Sequence, residues 1–330
     1  MNTWKLQLSM AATLAAIFGL TTLVFTAVLF WAGIGLSILT IGILVVALNV
    51  IQWLIAPYLV GAIYKVKELK ADENPKLHQM VADLSRKSKI STPKLMLSQI
   101  QLPNAFAYGS PISGSRVAVT EGLLKNLDDG EVEAVIGHEL GHLKHRDVQV
   151  MMVVSFLPAL FYYIGYSLML SGVFGGGGRK NEGGNSALFG IAFMAFSWIL
   201  TLFTLYLSRL REYYADRHSA QIVENGAQKL STGLITIVEE SKLQMGKSKK
   251  EEKTGSTAYK ALFISDPERA TSDSAELHAN HVANKEDLLR DTLAKQPSSS
   301  DKIIEIFSTH PNIIKRLRAL KEINERPSYY

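Results

Sequence analysis

Asp128-Asp129-Gly130-Glu131-Val132-Glu133-Ala134-Val135-Ile136-Gly137-His138-Glu139-Leu140-Gly141-His142 is the stretch from which both the fold and the chemistry of this chain are read. Its acidic opening suits the positive end of a helix dipole, so a helix is expected from about Asp128 onward. On such a helix His138 and His142, four residues apart, stand one above the other on a single face. Two imidazoles so placed reach one Zn²⁺ at about 2.0–2.1 Å, and Glu139, next to the first of them, is placed to act as general base toward an attacking water. The bland alternative is a pair of surface histidines on an amphipathic helix. Here the surrounding residues are small and apolar, as in a buried helix, and buried His and Glu side chains are costly unless something ligates them.

A catalytic zinc takes three protein ligands and keeps one position open. The chain has no cysteine, so thiolate ligands and disulfides are excluded and the third ligand must be a His or a carboxylate. His145 follows His138 by seven residues, about 10.5 Å along a helix axis, too far to share one ion. The extended motif with a third His ten residues after the first also fails, since that position is Val148. A carboxylate from a later helix remains. Arg211-Glu212-Tyr213-Tyr214-Ala215-Asp216 offers Glu212 and Asp216 one helical turn apart, facing the same way. Glu212 can then ligate zinc while Asp216 accepts the other ring N–H of a ligand His. Spacing alone favours the other reading, a solvated face of Arg, Glu and Asp.

The 330 residues are 47% hydrophobic, but unevenly so. No Asp, Glu, Lys or Arg occurs from Leu6 to Tyr64, from Val148 to Gly178, or from Gly183 to Ser208. A helix crosses the roughly 30 Å hydrocarbon core with about 20 apolar residues, so these stretches predict four spans, near residues 9–31, 34–57, 148–173 and 187–208. A cleavable signal peptide competes for the first span, yet its apolar core runs on into a second span. Buried hairpin helices of a soluble core compete for the last two; their length and charged flanks favour the membrane. Between these two lies a flexible Gly-rich loop, 175–184, and Pro158 falls inside the third span. Lys5, Lys65, Lys67, Lys70, Lys144, Arg146, Arg209 and Arg211 gather on one side of the spans, against Arg179 and Lys180 on the other. Both termini and the polar portions are therefore expected on the cytoplasmic side of a cell membrane, with the bilayer as a partner. The net charge of +5 is not gathered into a basic run, so no nucleic-acid partner is expected.

This divides the chain into 1–64 with two spans, 65–147 with the His138–His142 helix, 148–208 with two spans, and 209–330. The first polar portion reads as a helix from Pro75, strands at Lys94–Leu97 and Arg116–Val119, and an extended piece at Asn104–Gly109. In the second, 241–257 and 265–300 read as loops or insertions.

Val119-Thr120-Glu121-Gly122-Leu123-Leu124, the His138–His142 motif with Asp147 five residues on, and Arg211–Asp216 together resemble the HtpX family of membrane zinc metalloproteases, relatives of the CAAX prenyl proteases. Pro103-Asn104-Ala105-Phe106 and Phe307-Ser308-Thr309-His310-Pro311, with Arg316 after it, match as well. The resemblance implies a mainly α membrane protein: four transmembrane helices and a cytoplasmic gluzincin-type α+β zinc protease domain with a small β-sheet. It implies one zinc per subunit held by His138, His142 and Glu212, with Glu139 as base and Asp216 behind a ligand. Asn104, Ala105 and Phe106 would lie along an edge strand that pairs with substrate backbone. His310 would stabilise the oxyanion, with Arg316 as support. For His310 a helix-start histidine before Pro311 is the competing reading, because no spacing ties it to the site.

His142 lies six residues before the second uncharged stretch and Glu212 four after the last, so both zinc-bearing elements should sit within about 10 Å of the span ends. The expected activity is a metalloendopeptidase that cleaves membrane or misfolded proteins on the cytoplasmic side, in protein quality control and the stress response. Two alternatives stand beside it: a processing protease for lipidated C-terminal tails, and a non-enzymatic membrane scaffold with structural zinc. A transporter is disfavoured, since the spans carry no ionisable residue.

Overall fold

The computed structural model describes residues 38–174, 182–251, 285–295 and 299–325. In chain order the elements begin with α1 (Ile38–Ile63), β1 (Val66–Glu68), α2 (Pro75–Ser88), β2 (Lys94–Ser98), β3 (Ala105–Ser110) and β4 (Gly114–Thr120). Then come α3 (Glu121–Asn126), α4 (Asp129–Lys144), α5 (Asp147–Phe174) and α6 (Glu182–Ile222). The last are α7 (Gly226–Glu251), α8 (Lys285–Ala294), α9 (Ser299–Ile306) and α10 (Ile313–Glu325). The expected first span, at 9–31, lies outside the described residues, as do 175–181 of the Gly-rich loop. The chain divides into two compact units, Met1–Ile51 with Met152–Thr204, and Gln52–Met151 with Leu205–Tyr330.

In the first unit, α5 and α6 approach closely at two glycines. A Cβ on Gly165 would stand 2.6 Å from the Gly190 carbonyl oxygen, and one on Gly190 2.5 Å from that of Gly165. Small residues are what let apolar helices pack by van der Waals contact. The Ser197 hydroxyl donates to the Pro158 carbonyl at 2.8 Å, and Phe161 stacks on Phe193. Among the described residues one helix is long and apolar enough to cross a membrane, Ser186–Ile222 within α6; Trp53–Ile63 and Leu157–Val173 are shorter apolar runs.

In the second unit a four-stranded mixed sheet has the order β1-β2-β4-β3. β2 and β4 run parallel, and β1 and β3 join them antiparallel, which leaves β3 on an edge. Against the sheet lies α4, started by a capping box in which Asp128 and Glu131 exchange side-chain and backbone hydrogen bonds. Val132, Val135, Ile136 and Leu140 of α4 share one core with Val117 and Val119 of β4, Leu230, Leu234 and Ile235 of α7, and Ile314 and Leu317 of α10. Each such aliphatic side chain contributes about 1.5–3 kcal/mol when fully buried. That burial, far more than helix propensity, fixes where the helix bearing His138 and His142 stands.

Two sequence expectations are corrected. The 241–257 segment is not a loop from its start, because α7 continues to Glu251; Lys and Glu are good helix formers. Within 265–300 the helix α8 forms, with Leu288 in the core. As no breaker follows Ser208, the apolar stretch ending there continues through Glu212 and Asp216 in one uninterrupted helix, α6.

Candidate metal centre

Two glycines of α4 decide how close α6 can come. A Cβ on Gly141 would lie 3.0 Å from the Ala215 Cα, and one on Gly137 would lie 3.1 Å from the Ser219 Oγ. With hydrogen in those places, the two helices touch backbone to backbone, and the Ser219 hydroxyl donates to the Ala134 carbonyl at 2.6 Å. This contact carries Glu212, one turn before Asp216, to the face of α4 that holds the two histidines.

There the Nε2 atoms of His138 and His142 stand 3.2 Å apart. Glu212 oxygens lie 3.6 Å from the first and 3.5 Å from the second. These three side chains each offer one ligand atom, all within 4.8 Å of one another. The other ring nitrogens are occupied from behind. His138 Nδ1 lies 2.9 Å from Asp216 Oδ1, and His142 Nδ1 donates to Asp147 Oδ2 at 2.6 Å. Carboxylates behind the rings fix both tautomers with Nε2 turned inward, as in histidines that ligate a metal. Glu212 Oε2 is buried, with Arg316 Nη1 3.4 Å away. Two inward nitrogens and a buried carboxylate form an N₂O set that fits a divalent cation.

A second tier holds these carboxylates. Arg316, at 2% exposure, reaches Asp216 through Nε at 2.9 Å and Nη2 at 2.6 Å, and Glu212 Oε2 through Nη1 at 3.4 Å. Arg211 Nε pairs with Asp147 at 3.1 Å. Burial alone would raise the pKa of Glu212, but the charge of His310, the polar contact with His138, and the charges of His142 and Arg316 outweigh it and hold the carboxyl well below its usual range. Burial likewise works against a charged His138, yet Asp216 and Glu212 prevail and hold its pKa up at about 9.

Glu139 is buried beside the ligands and accepts from the Ala107 backbone N–H at 2.7 Å. Burial raises its pKa above the usual carboxylate range, and the two imidazoles offset only part of that. A carboxylate so shifted takes up a proton more readily than a solvated one. His310 comes in from the loop before α10, its Nε2 3.9 Å from Glu212 Oε1 and its Nδ1 3.0 Å from Thr309 Oγ1.

Of the residues expected from the sequence, His138, Glu139, His142, Glu212, Asp216, His310 and Arg316 come together. Arg316 does so behind the carboxylates, not as a free cation. His145 is turned away, with Nδ1 bonded to the Gly141 carbonyl at 2.8 Å. Asn104, Ala105 and Phe106 are all buried, so any pairing with another chain there falls to backbone groups. Phe106 packs with Tyr64 and Tyr108 in a separate small core. The strand residue that touches the site is Ala107, through its backbone N–H, and it was absent from the sequence expectations. Arg211 also went unassigned, and Asp147 had been noted without a role.

The description of Peptidase family M48 matches residues 71–324. A protein named Protease HtpX homolog from Thermoplasma acidophilum is 36% identical over 329 residues, covering 97% of each chain. Protease HtpX homolog 2 of Saccharolobus solfataricus is 37% identical over 334 residues, covering 97% of this chain and 98% of the relative. In fold the chain is similar to the crystal structure of S. mikatae Ste24p, with a TM-score of 0.58 at 16% identity over 96% of this chain and 66% of that one. A match over most of the length, at that identity to HtpX homologues, makes the chain a member of peptidase family M48, of the HtpX metalloprotease type.

Proposed function

We propose that the protein is a membrane-integrated zinc endopeptidase that hydrolyses peptide bonds on the cytoplasmic side. The observation that carries this is the donor set itself: two Nε2 atoms 3.2 Å apart, Glu212 within 3.6 Å of both, and Glu139 buried alongside. His138, His142 and Glu212 would hold one zinc. When bound there, zinc polarises the scissile carbonyl and makes water a competent nucleophile near neutral pH. Glu139 takes a proton from the attacking water as its oxygen bonds to the carbonyl carbon. As the C–N bond breaks, Glu139 passes that proton to the departing amine nitrogen. His310 donates to the oxyanion formed in between. Asp216 and Asp147 keep the ligand rings oriented, and Arg316 balances the buried carboxylates. The edge strand β3 offers backbone groups on which an extended substrate can pair, with little demand on its sequence.

Four spans, at 9–31, 34–57, 148–173 and 187–208, are supported by the uncharged stretches, and the cytoplasmic placement of both termini by the Lys and Arg residues that flank them. The short chain distance from His142 and Glu212 to those stretches favours membrane proteins and misfolded segments near the bilayer as substrates. That is a quality-control and stress-response role.

The test is cleavage of unfolded casein by zinc-loaded, detergent-purified protein beside Glu139→Gln, with bound zinc counted in both. Activity in the parent and a loss of about 10²–10⁴-fold in the variant, at equal zinc, is the expected result. Zinc without cleavage of casein, but with cleavage of prenylated peptides, would point to a processing enzyme. Zinc without cleavage of either would point to a scaffold. No zinc in either protein would end the reading.

A further inference from the structure

The loop that carries His310 is held by short internal hydrogen bonds, among them His310 N–H to Ser308 Oγ at 3.2 Å, and from outside. It leaves α9 at Ile306, makes a tight turn, and reaches α10 only at Ile313. The last carbonyls of a helix have no intrahelical partner. Here Phe307 N–H donates to the Ile304 carbonyl and Ser308 N–H to that of Glu305, and the rest is supplied from outside. Arg209 Nη1 donates to the Glu305 carbonyl at 2.8 Å, to the Ile306 carbonyl at 3.1 Å, and to the Ser308 carbonyl at 2.7 Å. A charged donor shared among oriented carbonyls forms the stronger class of hydrogen bond, and cations are favoured at a helix C-terminus. Arg209 is itself steadied, its guanidinium standing 5.8 Å from the Tyr206 ring centroid.

The far side of the loop is tied down differently. The buried Glu305 carboxylate accepts from the Asn312 backbone N–H at 3.2 Å and is paired with Lys315. The segment between Glu305 and Asn312 is therefore gripped at both ends, and His310 lies inside it. On α6, Arg209 and Glu212 are three residues apart, neighbours on one face. One residue of that helix grips the backbone of the His310 loop, and the other meets the His310 ring at 3.9 Å.

We propose that Arg209 is a positioning residue for His310: by clamping the carbonyls of Glu305, Ile306 and Ser308 it sets the imidazole against Glu212 and the reacting carbonyl. This rests on the reading of His310 as the donor to the oxyanion. The Arg209 guanidinium reaches the loop carbonyls and the Tyr206 ring and none of His138, His142 and Glu212, so its effect passes through His310. A displacement of about 1 Å in a catalytic group costs on the order of 10²-fold in rate.

The experiment is a double-mutant cycle on full-length, zinc-loaded protein in detergent: parent, R209A, H310A and R209A/H310A, with R209K beside them. A quenched-fluorescence peptide gives kcat and KM separately, and bound zinc and backbone amide exchange are measured on each. R209A should lower kcat by about 10- to 100-fold with KM and zinc unchanged, and amides 306–312 should exchange faster. Added to H310A, it should cost less than about twofold more, as expected when one residue acts only through another. R209K, which keeps the charge and one donor group, should fall between R209A and the parent, so a poorly folding R209A leaves a variant that still decides. Parental kcat in R209A, an equal further loss in the H310A background, unchanged exchange at 306–312, or loss of zinc in R209A would each overturn the proposal. H310A at parental kcat would remove the His310 reading and this inference with it, while an inactive Glu139→Gln would leave the peptidase standing.

Discussion

The two histidines of the metal centre are supported in the same way but in unlike surroundings. Behind His138 lies Asp216 and behind it Arg316, every member sealed from solvent. Behind His142 lies Asp147 and then Arg211, and here both the imidazole and the guanidinium keep partial exposure. On the inner side a charge left without its partner has no water to turn to, whereas on the outer side it has some. The inner network is therefore a condition of folding as well as of ligand orientation, and the outer one serves orientation mainly.

The largest expected effect breaks the inner side. Arg316→Met should destabilise the fold by about 3–5 kcal/mol, because it leaves Asp216 and Glu212 buried without the guanidinium that pairs with both. The thermal midpoint, read with zinc chelated in parent and variant, should fall by on the order of 10 °C. A midpoint within a degree or two of the parent would mean the guanidinium is dispensable to folding. Next come the two carboxylates. Asp216→Asn and Asp147→Asn should each weaken zinc binding by about 10- to 100-fold in competition with a chelating dye. Asp147→Asn should leave the thermal midpoint nearly unchanged, and equal midpoint losses in the two would erase the distinction between the sides.

The helix contact beneath the ligands gives a third comparison. Gly141→Ala places its Cβ against the Ala215 backbone, which cannot yield, whereas Gly137→Ala meets the Ser219 and Val223 side chains, which can turn. Gly141→Ala should cost about 1–3 kcal/mol and lower zinc affinity, with Gly137→Ala clearly milder. Equal losses in urea unfolding would show that the α4–α6 approach is looser than these distances imply.

A last comparison, read across pH, concerns His218, in the charged last part of α6 beyond the apolar stretch. It is buried, and its Nε2 lies 2.9 Å from the Ser88 hydroxyl. Burial, followed by the charges of Lys144, His145 and His138, pushes its pKa down to about 4. Between that value and the ordinary pKa near 6.5, the unfolded chain takes up a proton that the folded one refuses. Its contribution to stability is thus complete above about pH 6.5 and is lost as pH falls toward 4. His218→Gln should flatten the fall in denaturation midpoint across that window, by at most about 1.4 kcal/mol per pH unit. A slope identical to the parent would place the titration elsewhere.

Much of the centre was legible because its signals are local. His138, Glu139 and His142 sit on one turn of one helix, and Glu212 and Asp216 on one turn of another, so a period of 3.6 brings each set together wherever the helices go. Gly137 and Gly141 share that period, and their closeness to α6 could have been anticipated from it. Asp147 and Arg211 were in plain view in the motifs, but which charge faces which depends on the crossing of α4 with α6. Ala107 works through its backbone N–H, which every residue but proline possesses, so no side-chain pattern marked it. The helical run to Glu251 and the helix Lys285–Ala294 were missed because polar, Lys- and Glu-rich composition does not separate a solvated helix from a loop.

By itself the sequence determined the residue types of the site, their grouping into two helical turns, the exclusion of thiolate chemistry, and the uncharged stretches. All of these follow from identity and from spacing along one chain. Only the tertiary structure decided that Glu212 meets the two imidazoles, that Arg316 from α10 completes the inner carboxylate pair, and that Arg209 grips the loop before His310. Those contacts join residues about seventy to a hundred positions apart. What brings such residues together is the burial of the α4, α7 and α10 core and the close approach of α6 to α4; periodicity marks the faces that pack, but not which of them meet.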